Sequence, residues 1–156
     1  MHNKTIFLDK DVTLGAIENK RIGIIGYGNQ GRAQALNLID EGYNIKVGVR
    51  DINSISSQLI SKKITYDTIE NVSSWSNMIC ILVSDSAIPE VFNSRIKDNL
   101  NDNDTLLFSH GYIITYNIIQ PPENIDVIMV APSGGGQMVR DEYVKGRGVP
   151  SLLAVH

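Results

Sequence analysis

The sequence is poor in the features that mark secreted and membrane proteins. It contains one cysteine in 156 residues, so no internal disulfide can form, which is typical of proteins from a reducing compartment. No stretch reaches the roughly eighteen apolar residues that a membrane-spanning helix needs. The first residues, MHNKTIFLDKDV, lack the apolar segment of a secretory signal. We therefore expect a cytoplasmic protein with no membrane partner.

Basic residues are also too few and too scattered to form a nucleic-acid-binding surface. Fourteen Lys and Arg against seventeen Asp and Glu give a formal net charge of -3. No block of cations is present that would neutralise a phosphate backbone, so we expect no nucleic-acid partner. A composition of 42% hydrophobic and 20% charged residues is ordinary for a globular protein. We expect residues 1–156 to form a single dinucleotide-binding domain, with residues 1–20 as a lead-in segment.

Short apolar runs alternate with amphipathic segments, which indicates βα units on a mainly parallel sheet. The predicted strands are Arg21–Ile25, Asn44–Val49, Ile64–Tyr66, Met78–Val83, Thr105–Phe108, Asp126–Val130 and Leu152–Val155. The predicted helices are Asn29–Glu41, Ser54–Lys62, Thr68–Ser74, Ala87–Ser94, Tyr112–Ile118 and Gln137–Lys145. This order predicts an α/β fold, Rossmann-like and doubly wound, with helices on both faces of a mainly parallel sheet.

The pattern GxGxxG joins the first predicted strand to the first predicted helix, as Gly26-Tyr27-Gly28-Asn29-Gln30-Gly31. In this context Gly26 permits a tight turn, Gly28 lets the main chain approach a diphosphate, and Gly31 allows close helix–strand packing. We predict that these six residues bind a dinucleotide; the alternative is a glycine-rich turn without a ligand. A nucleotide triphosphatase loop is excluded, because Arg32 and Ala33 replace the required Lys and hydroxyl residue.

The end of the second strand bears on which dinucleotide is bound. A cation there pairs with the 2′-phosphate of NADP, whereas an acidic residue accepts hydrogen bonds from the ribose of NAD. Arg50 can make a bidentate contact with a phosphate, and Ser54 and Ser56 add neutral donors. Asp51 favours NAD instead, since its carboxylate repels a 2′-phosphate. We predict NADP, with NAD as the alternative.

Three other segments follow predicted strands and should meet at the carboxyl edge of the sheet, where ligands bind in open α/β folds. His110 either exchanges a proton with a carbonyl near the nicotinamide or caps a turn before Gly111. Ser84 and Asp85 either line the nicotinamide side or cap the next helix. The loop APSGGG, which ends at Gly136, is either a second cofactor-binding loop or a linker turn.

Five segments between Phe7 and Val155 together resemble the amino-terminal cofactor domain of ketol-acid reductoisomerase, in order and in spacing. They are FLDKDVTLGAIENKRIGIIGYGNQGRAQALNL, VGVR, FSHGY, APSGGG and VRDEYVKGRGVPSLLAV. The GVPSLLAV block discriminates against other short-domain dehydrogenases, such as imine or prephenate-type reductases, which share only the generic glycine motif.

The resemblance implies binding of NADPH, a requirement for magnesium, and conversion of an acetohydroxy acid to a dihydroxy acid by an alkyl shift followed by hydride transfer. It also implies roles for individual residues. Gly26, Gly28 and Gly31 would form the pyrophosphate loop, Arg50, Ser54 and Ser56 would contact the adenosine phosphate, and His110 would be the active-site histidine.

The sequence departs from the family at two residues and in one larger respect. Ser133 stands where the family's APKGPG loop carries a lysine, and a neutral hydroxyl cannot supply a positive charge to an oxyanion. Ile113 stands where asparagine is usual. The helical domain whose Asp and Glu residues hold magnesium in the family is absent from these 156 residues, and no metal-ligand spacing replaces it.

These departures lead to two functional expectations. The first is an enzyme part that needs a helical partner chain for activity. The alternative is a catalytically inactive dinucleotide-binding or assembly protein derived from the same family. In either case Leu152, Leu153 and Val155 at a sheet edge predict an apolar patch that contacts a partner, as a homo-oligomer or in a heteromer.

Overall fold

A seven-stranded sheet forms the middle layer of the structure, a computed structural model that describes residues 6–13, 15–52 and 57–156. The strand order is β3-β2-β1-β4-β5-β6-β7. The strands are β1 Ile22–Ile25, β2 Ile45–Val49, β3 Tyr66–Thr68, β4 Met78–Ile81, β5 Thr105–Phe108, β6 Asp126–Pro132 and β7 Ser151–Val155. The first six are parallel, and β7 pairs with β6 in the antiparallel direction.

Helices cover both faces of this sheet. They are α1 Asn29–Asp40, α2 Ser57–Ser61, α3 Ile69–Trp75, α4 Ile88–Val91, α5 Tyr112–Thr115 and α6 Gly136–Val144. Side chains from α1 and α2 pack into the apolar cluster on one face, and those from α3, α4 and α5 pack into the cluster on the other. The predicted Rossmann-like, doubly wound fold is therefore confirmed. None of the described helices combines the length and apolar character needed to cross a membrane.

The central strands are buried on both faces because helices cover them on both sides. Every residue of β1 and β4 is buried. Along β1 the side chains alternate between the two clusters, so Ile24 faces α1 while Ile25 faces α3 and α4. Cys80 in β4 is 3% exposed, and burial raises the pKa of its thiol to about 12. Trp75, at the end of α3, is only half-buried, with the Lys46 ammonium 4.5 Å from its ring centre.

Several boundaries differ from the predicted ones. β3 lies two residues later than Ile64–Tyr66, β4 ends at Ile81, and β6 continues to Pro132 because it pairs with β7 along that length. The predicted helix Tyr112–Ile118 ends early, and Asn117 adopts a left-handed conformation (φ +52°) just beyond α5. Of the predicted helix Ser54–Lys62, residues 57–62 are described, and α2 ends within them at Ser61.

The predicted helix Ala87–Ser94 changes its winding along its length. After α4 the chain continues as a π-helical segment, Phe92–Ile96, and then a 3₁₀ turn, Lys97–Asn99. Phe92 and Ile96 are both fully buried in the core. These two side chains pack against the sheet where the helix widens into a π-helical turn. The helical periodicity of the sequence does not indicate this widening.

Candidate functional site

The turn between β1 and α1 needs two of its glycines for packing and leaves space at the third. Gly26 has φ +97°, and a Cβ there would lie 2.8 Å from Val83 Cγ1. A Cβ on Gly31 would lie 2.0 Å from the carbonyl oxygen of Gly26. A Cβ on Gly28 would meet no atom within 4 Å. The first and third glycines therefore hold α1 against the turn, and the second borders open space.

The amino terminus of α1 opens onto the same space. Gly28 is the N-cap residue, no side chain caps it, and the first turn of α1 carries no acidic residue. The amide of Arg32 donates to the Gly28 carbonyl at 3.0 Å, which begins the helical hydrogen bonding. The amides of Asn29, Gln30 and Gly31 precede that bond and, with the positive end of the helix dipole, favour an anion. The turn thus fits the diphosphate of a dinucleotide.

A cleft of about 270 Å³ lies beside this turn, at the carboxyl ends of the central strands. Gln30 of α1, Val83 and Asp85 after β4, His110 after β5 and Pro132 at the end of β6 all line it. The structure therefore brings the glycine turn and the predicted histidine to one edge of the sheet, as the strand-end argument predicts.

His110 uses one ring nitrogen for the local turn and leaves the other available. Its Nδ1 accepts a hydrogen bond from the main-chain amide of Tyr112 at 3.2 Å. Asp85 Oδ2 is 3.9 Å from the same nitrogen, beyond hydrogen-bond distance, and both side chains are at least half exposed. In this arrangement the neutral imidazole carries its proton on Nε2, where it can donate to a ligand.

Ser84 and Asp85 do not cap the following helix through their side chains. The N-cap of α4 is Ala87, and no side chain caps it. The main-chain carbonyl of Ser84 accepts instead from the amides of Ala87 at 2.8 Å and Ile88 at 3.2 Å. The side-chain capping alternative is therefore wrong, and Asp85 lies beside His110 in the cleft.

The glycine loop after β6 packs directly on the start of α1. Gly136 is buried, and a Cβ there would lie 1.9 Å from the main-chain oxygen of Asn29. Gln30 Nε2 donates to the carbonyl of Gly134 at 2.9 Å. This loop is therefore more than a linker turn, because it is one wall of the region around the amino terminus of α1.

Sequence reasoning missed two polar residues that connect these loops. Gln34 Nε2 lies 3.3 Å from Gln30 Oε1 and 3.1 Å from Ser109 Oγ. Ser109 directly precedes His110, so hydrogen bonds join the β5 loop to α1 and, through Gln30, to the β6 loop. The available signal was the spacing of Gln30 and Gln34, which places both amides on one side of α1.

Arg50 lies exposed at the carboxyl end of β2. The Gly26 amide donates to the carbonyl of Gly48 in β2 at 3.3 Å, so the end of β2 adjoins the glycine turn. This position is the one predicted for recognition of the adenosine ribose. Ser54 and Ser56, predicted to help Arg50, lie outside the described residues.

The two departures from the family occupy different environments. Ser133 is exposed just after β6, and its amide donates to the Pro150 carbonyl at 2.8 Å. Ile113, in α5, is 1% exposed and packs in the core. Within residues 6–13, 15–52 and 57–156, no three His, Cys, Asp or Glu side chains come together to hold a metal ion. The described residues therefore do not fit a magnesium site.

Comparisons with known proteins agree on one family. The family model described as "Acetohydroxy acid isomeroreductase, NADPH-binding domain" matches residues 16–156. A ketol-acid reductoisomerase (NADP(+)) of Methanocaldococcus jannaschii is 46% identical over 150 residues, covering 96% of this chain and 46% of that protein. One from Mycobacterium avium is 39% identical, with 96% and 45% covered.

A solved structure gives the same answer. An NADH-preferring ketol-acid reductoisomerase from an uncultured archaeon superposes with a TM-score of 0.89 at 35% identity, covering 95% of this chain and 46% of that one. The chain spans about half the length of the curated relatives it matches. It belongs to the ketol-acid reductoisomerase family, also called acetohydroxy acid isomeroreductase, and corresponds to the NADPH-binding domain of that family.

Proposed function

We propose that this chain is the NADPH-binding part of a ketol-acid reductoisomerase that converts an acetohydroxy acid to a 2,3-dihydroxy acid in branched-chain amino-acid biosynthesis. The observation that carries the proposal is the shared cleft, in which Gln30 at the start of α1 and His110 line one space. A dinucleotide held at the start of α1 would extend into this cleft, beside a residue able to donate a hydrogen bond.

The proposal gives each candidate site residue a defined role. The α1 amides bind the diphosphate, and Arg50 pairs with the 2′-phosphate. His110 donates a hydrogen bond from Nε2 to the oxygen of the substrate that gains negative charge. NADPH, when bound, supplies the hydride. The β6 loop shields the diphosphate region from one side, because Gly136 rests against Asn29.

Magnesium belongs to the proposed activity but not to the described residues of this chain. A donor set of three or more His, Cys, Asp or Glu side chains for a divalent ion is not assembled among them. We propose that these carboxylates come from outside residues 1–156, in a partner chain or a further part of the protein. The exposed side chains of β7 are the proposed contact for such a partner or for a second copy of this chain.

Cofactor titration is the first test of the proposal. NADPH and NADH are titrated against the purified chain by nicotinamide fluorescence. We expect both to bind, with NADPH the tighter, because Arg50 contributes only to the phosphorylated cofactor. Failure of both cofactors to bind at about 1 mM would overturn the proposal.

Turnover is the second test. The chain is mixed with the carboxyl-terminal remainder of the Methanocaldococcus jannaschii relative, magnesium, NADPH and acetolactate. We expect NADPH consumption in the mixture, and a loss of about a hundredfold for His110→Gln, since losing one placed donor to a developing negative charge costs on that scale. His156→Gln is the matched control and should retain activity, because His156 does not line the cleft that Gln30 and His110 share.

A second candidate is a dinucleotide-binding protein without catalysis. Ser133 favours it, because an exposed hydroxyl stands at the end of β6 where a fixed positive charge would assist the reaction. Intact NADPH binding with no turnover in any mixture would support this candidate. If the Ser133→Lys variant turned over substrate and the wild-type chain did not, the missing positive charge would be what distinguishes the binding protein from the enzyme. The missing carboxylates would then not be the cause.

A further inference from the structure

The end of β2 is connected to the helical segment that follows β4 through one arginine. Arg95 Nη1 donates to the main-chain carbonyl of Arg50 at 3.3 Å. The same nitrogen is 3.5 Å from Glu70 Oε1, in the first turn of α3. Arg95 is therefore held between the strand end that carries Arg50 and the helix that follows β3.

The unusual winding of this segment brings Arg95 to that position. Arg95 lies in the π-helical turn between Phe92 and Ile96, and both of these neighbours are fully buried. The two apolar side chains fix the turn against the core, and the Arg95 side chain stays 30% exposed. A π-helical turn is uncommon and is often found next to a functional site. Here its Arg95 contacts Arg50, the residue predicted to recognise the adenosine end of the cofactor.

From these contacts we propose that Arg95 is a positioning residue for cofactor discrimination, a role that rests on the proposed binding of NADPH through Arg50. By holding the Arg50 carbonyl, Arg95 fixes the main chain from which the Arg50 side chain extends toward the 2′-phosphate. Glu70 orients the Arg95 guanidinium and partly neutralises its charge. The pair therefore acts through hydrogen-bond geometry on Arg50, and not as a second cation on the phosphate.

Affinities for both cofactors test this role in four proteins: the wild-type chain, Arg95→Gln, Arg95→Lys and Glu70→Gln. We expect Arg95→Gln to weaken NADPH binding about fivefold to tenfold, within the range of one ordinary hydrogen bond. NADH binding should change by less than about twofold, because NADH lacks the phosphate that Arg50 contacts. Arg95→Lys should lose as much as Arg95→Gln, since one ammonium cannot replace the guanidinium fork.

Glu70→Gln separates positioning from charge. If Arg95 acts as a positioning residue, Glu70→Gln weakens NADPH binding, because the guanidinium loses its orienting carboxylate. If Arg95 acts as a cation on the phosphate, Glu70→Gln strengthens NADPH binding and Arg95→Lys retains it. Either of the last two results would overturn the inference. So would an equal loss of NADPH and NADH affinity in Arg95→Gln.

A double variant distinguishes failure of this inference from failure of the proposed function. With Arg50→Gln as background, adding Arg95→Gln should leave the ratio of NADPH to NADH affinity unchanged, because Arg95 acts only through Arg50. A further drop in that ratio would overturn the inference and leave the NADPH site intact. A wild-type chain that binds neither cofactor would overturn the proposed function and this role with it.

Discussion

Strands β1 and β7 belong to one sheet and have opposite environments. All four residues of β1 are buried, and its end continues into a turn in which added methyl groups on Gly26 and Gly31 would clash. All five residues of β7 are exposed, with Leu152 at 68% and Val155 at 84% of their full accessibility. The strand that leads into the glycine turn is thus enclosed by the protein, whereas β7 presents an apolar edge.

The proposed function places different demands on these two strands. A diphosphate site needs main-chain amides and tight glycine packing, which one βα unit supplies. In the proposed function, closing the substrate site needs surfaces from a second domain or chain. An apolar sheet edge such as β7 is suited to contact one. Substitutions in the glycine turn after β1 should therefore change stability or cofactor binding. Substitutions in β7 should change association only.

The largest effect is expected at Gly31. Gly31→Ala places a methyl group 2.0 Å from the Gly26 carbonyl oxygen, so α1 must shift. We expect a loss of about 3 kcal/mol in the free energy of unfolding, the upper part of the range for overpacking, together with loss of NADPH binding. Urea unfolding and cofactor titration measure the two effects.

Gly28→Ala is the matched control for this variant. Its methyl group meets no protein atom within 4 Å. The free energy of unfolding should stay within about 0.5 kcal/mol of wild type, as for other substitutions without a clash. NADPH binding should still weaken, because the methyl group enters the space of the diphosphate. Equal destabilisation by both variants would contradict the packing described for this turn.

Arg50→Asp should act on one cofactor only. Replacing the guanidinium by a carboxylate should weaken NADPH binding by about 1.5 to 3 kcal/mol, the worth of a hydrogen bond to a charged group. NADH binding should stay nearly unchanged. Isothermal titration with both cofactors checks this, and an equal loss for the two would show that Arg50 does not discriminate between them.

The exposed edge should make the chain associate. We expect sedimentation velocity to show concentration-dependent self-association that Leu153→Lys reduces, because a charge on the apolar edge opposes strand pairing. Since Leu153 is 60% exposed, its replacement should change the free energy of unfolding by less than about 0.5 kcal/mol. Thr65→Lys, at an exposed position beside β3, is the control for added charge. A monomer at every concentration would contradict the proposed contact.

The smallest effect concerns the pH dependence of stability near the end of α6. Hydrogen bonds from Arg147 and then Lys145 lower the pKa of Glu142 to about 2 from an ordinary value of 4.5. The stabilising contribution of the carboxylate is therefore present above pH 4.5 and is lost as the pH falls toward 2. Urea midpoints measured between pH 5 and 2.5 should fall less in Glu142→Gln than in wild type. Parallel curves would show that these hydrogen bonds add nothing in solution.

The fold and the glycine turn could be predicted from the sequence because local patterns encode them. β1 is an unbroken apolar run, and three glycines at fixed spacing follow it, so strand, turn and helix are defined within ten residues. The turn at Ser84 depends on main-chain hydrogen bonds rather than on side chains. The antiparallel direction of β7 depends on its pairing with β6, which is distant in sequence. The same holds for the contact of Arg95 with Arg50, which lies 45 residues away along the chain. The hydrophobic periodicity of the sequence does not predict contacts of this kind.

Chemical shifts of backbone amides during NADPH titration test the central claim most directly. If the uncapped start of α1 binds the diphosphate, the largest changes should fall on Asn29, Gln30 and Gly31, with smaller changes at His110. Addition of NADH should reproduce the changes at α1 and leave Arg50 unperturbed. Saturable binding with shifts confined to residues away from the glycine turn would contradict the account.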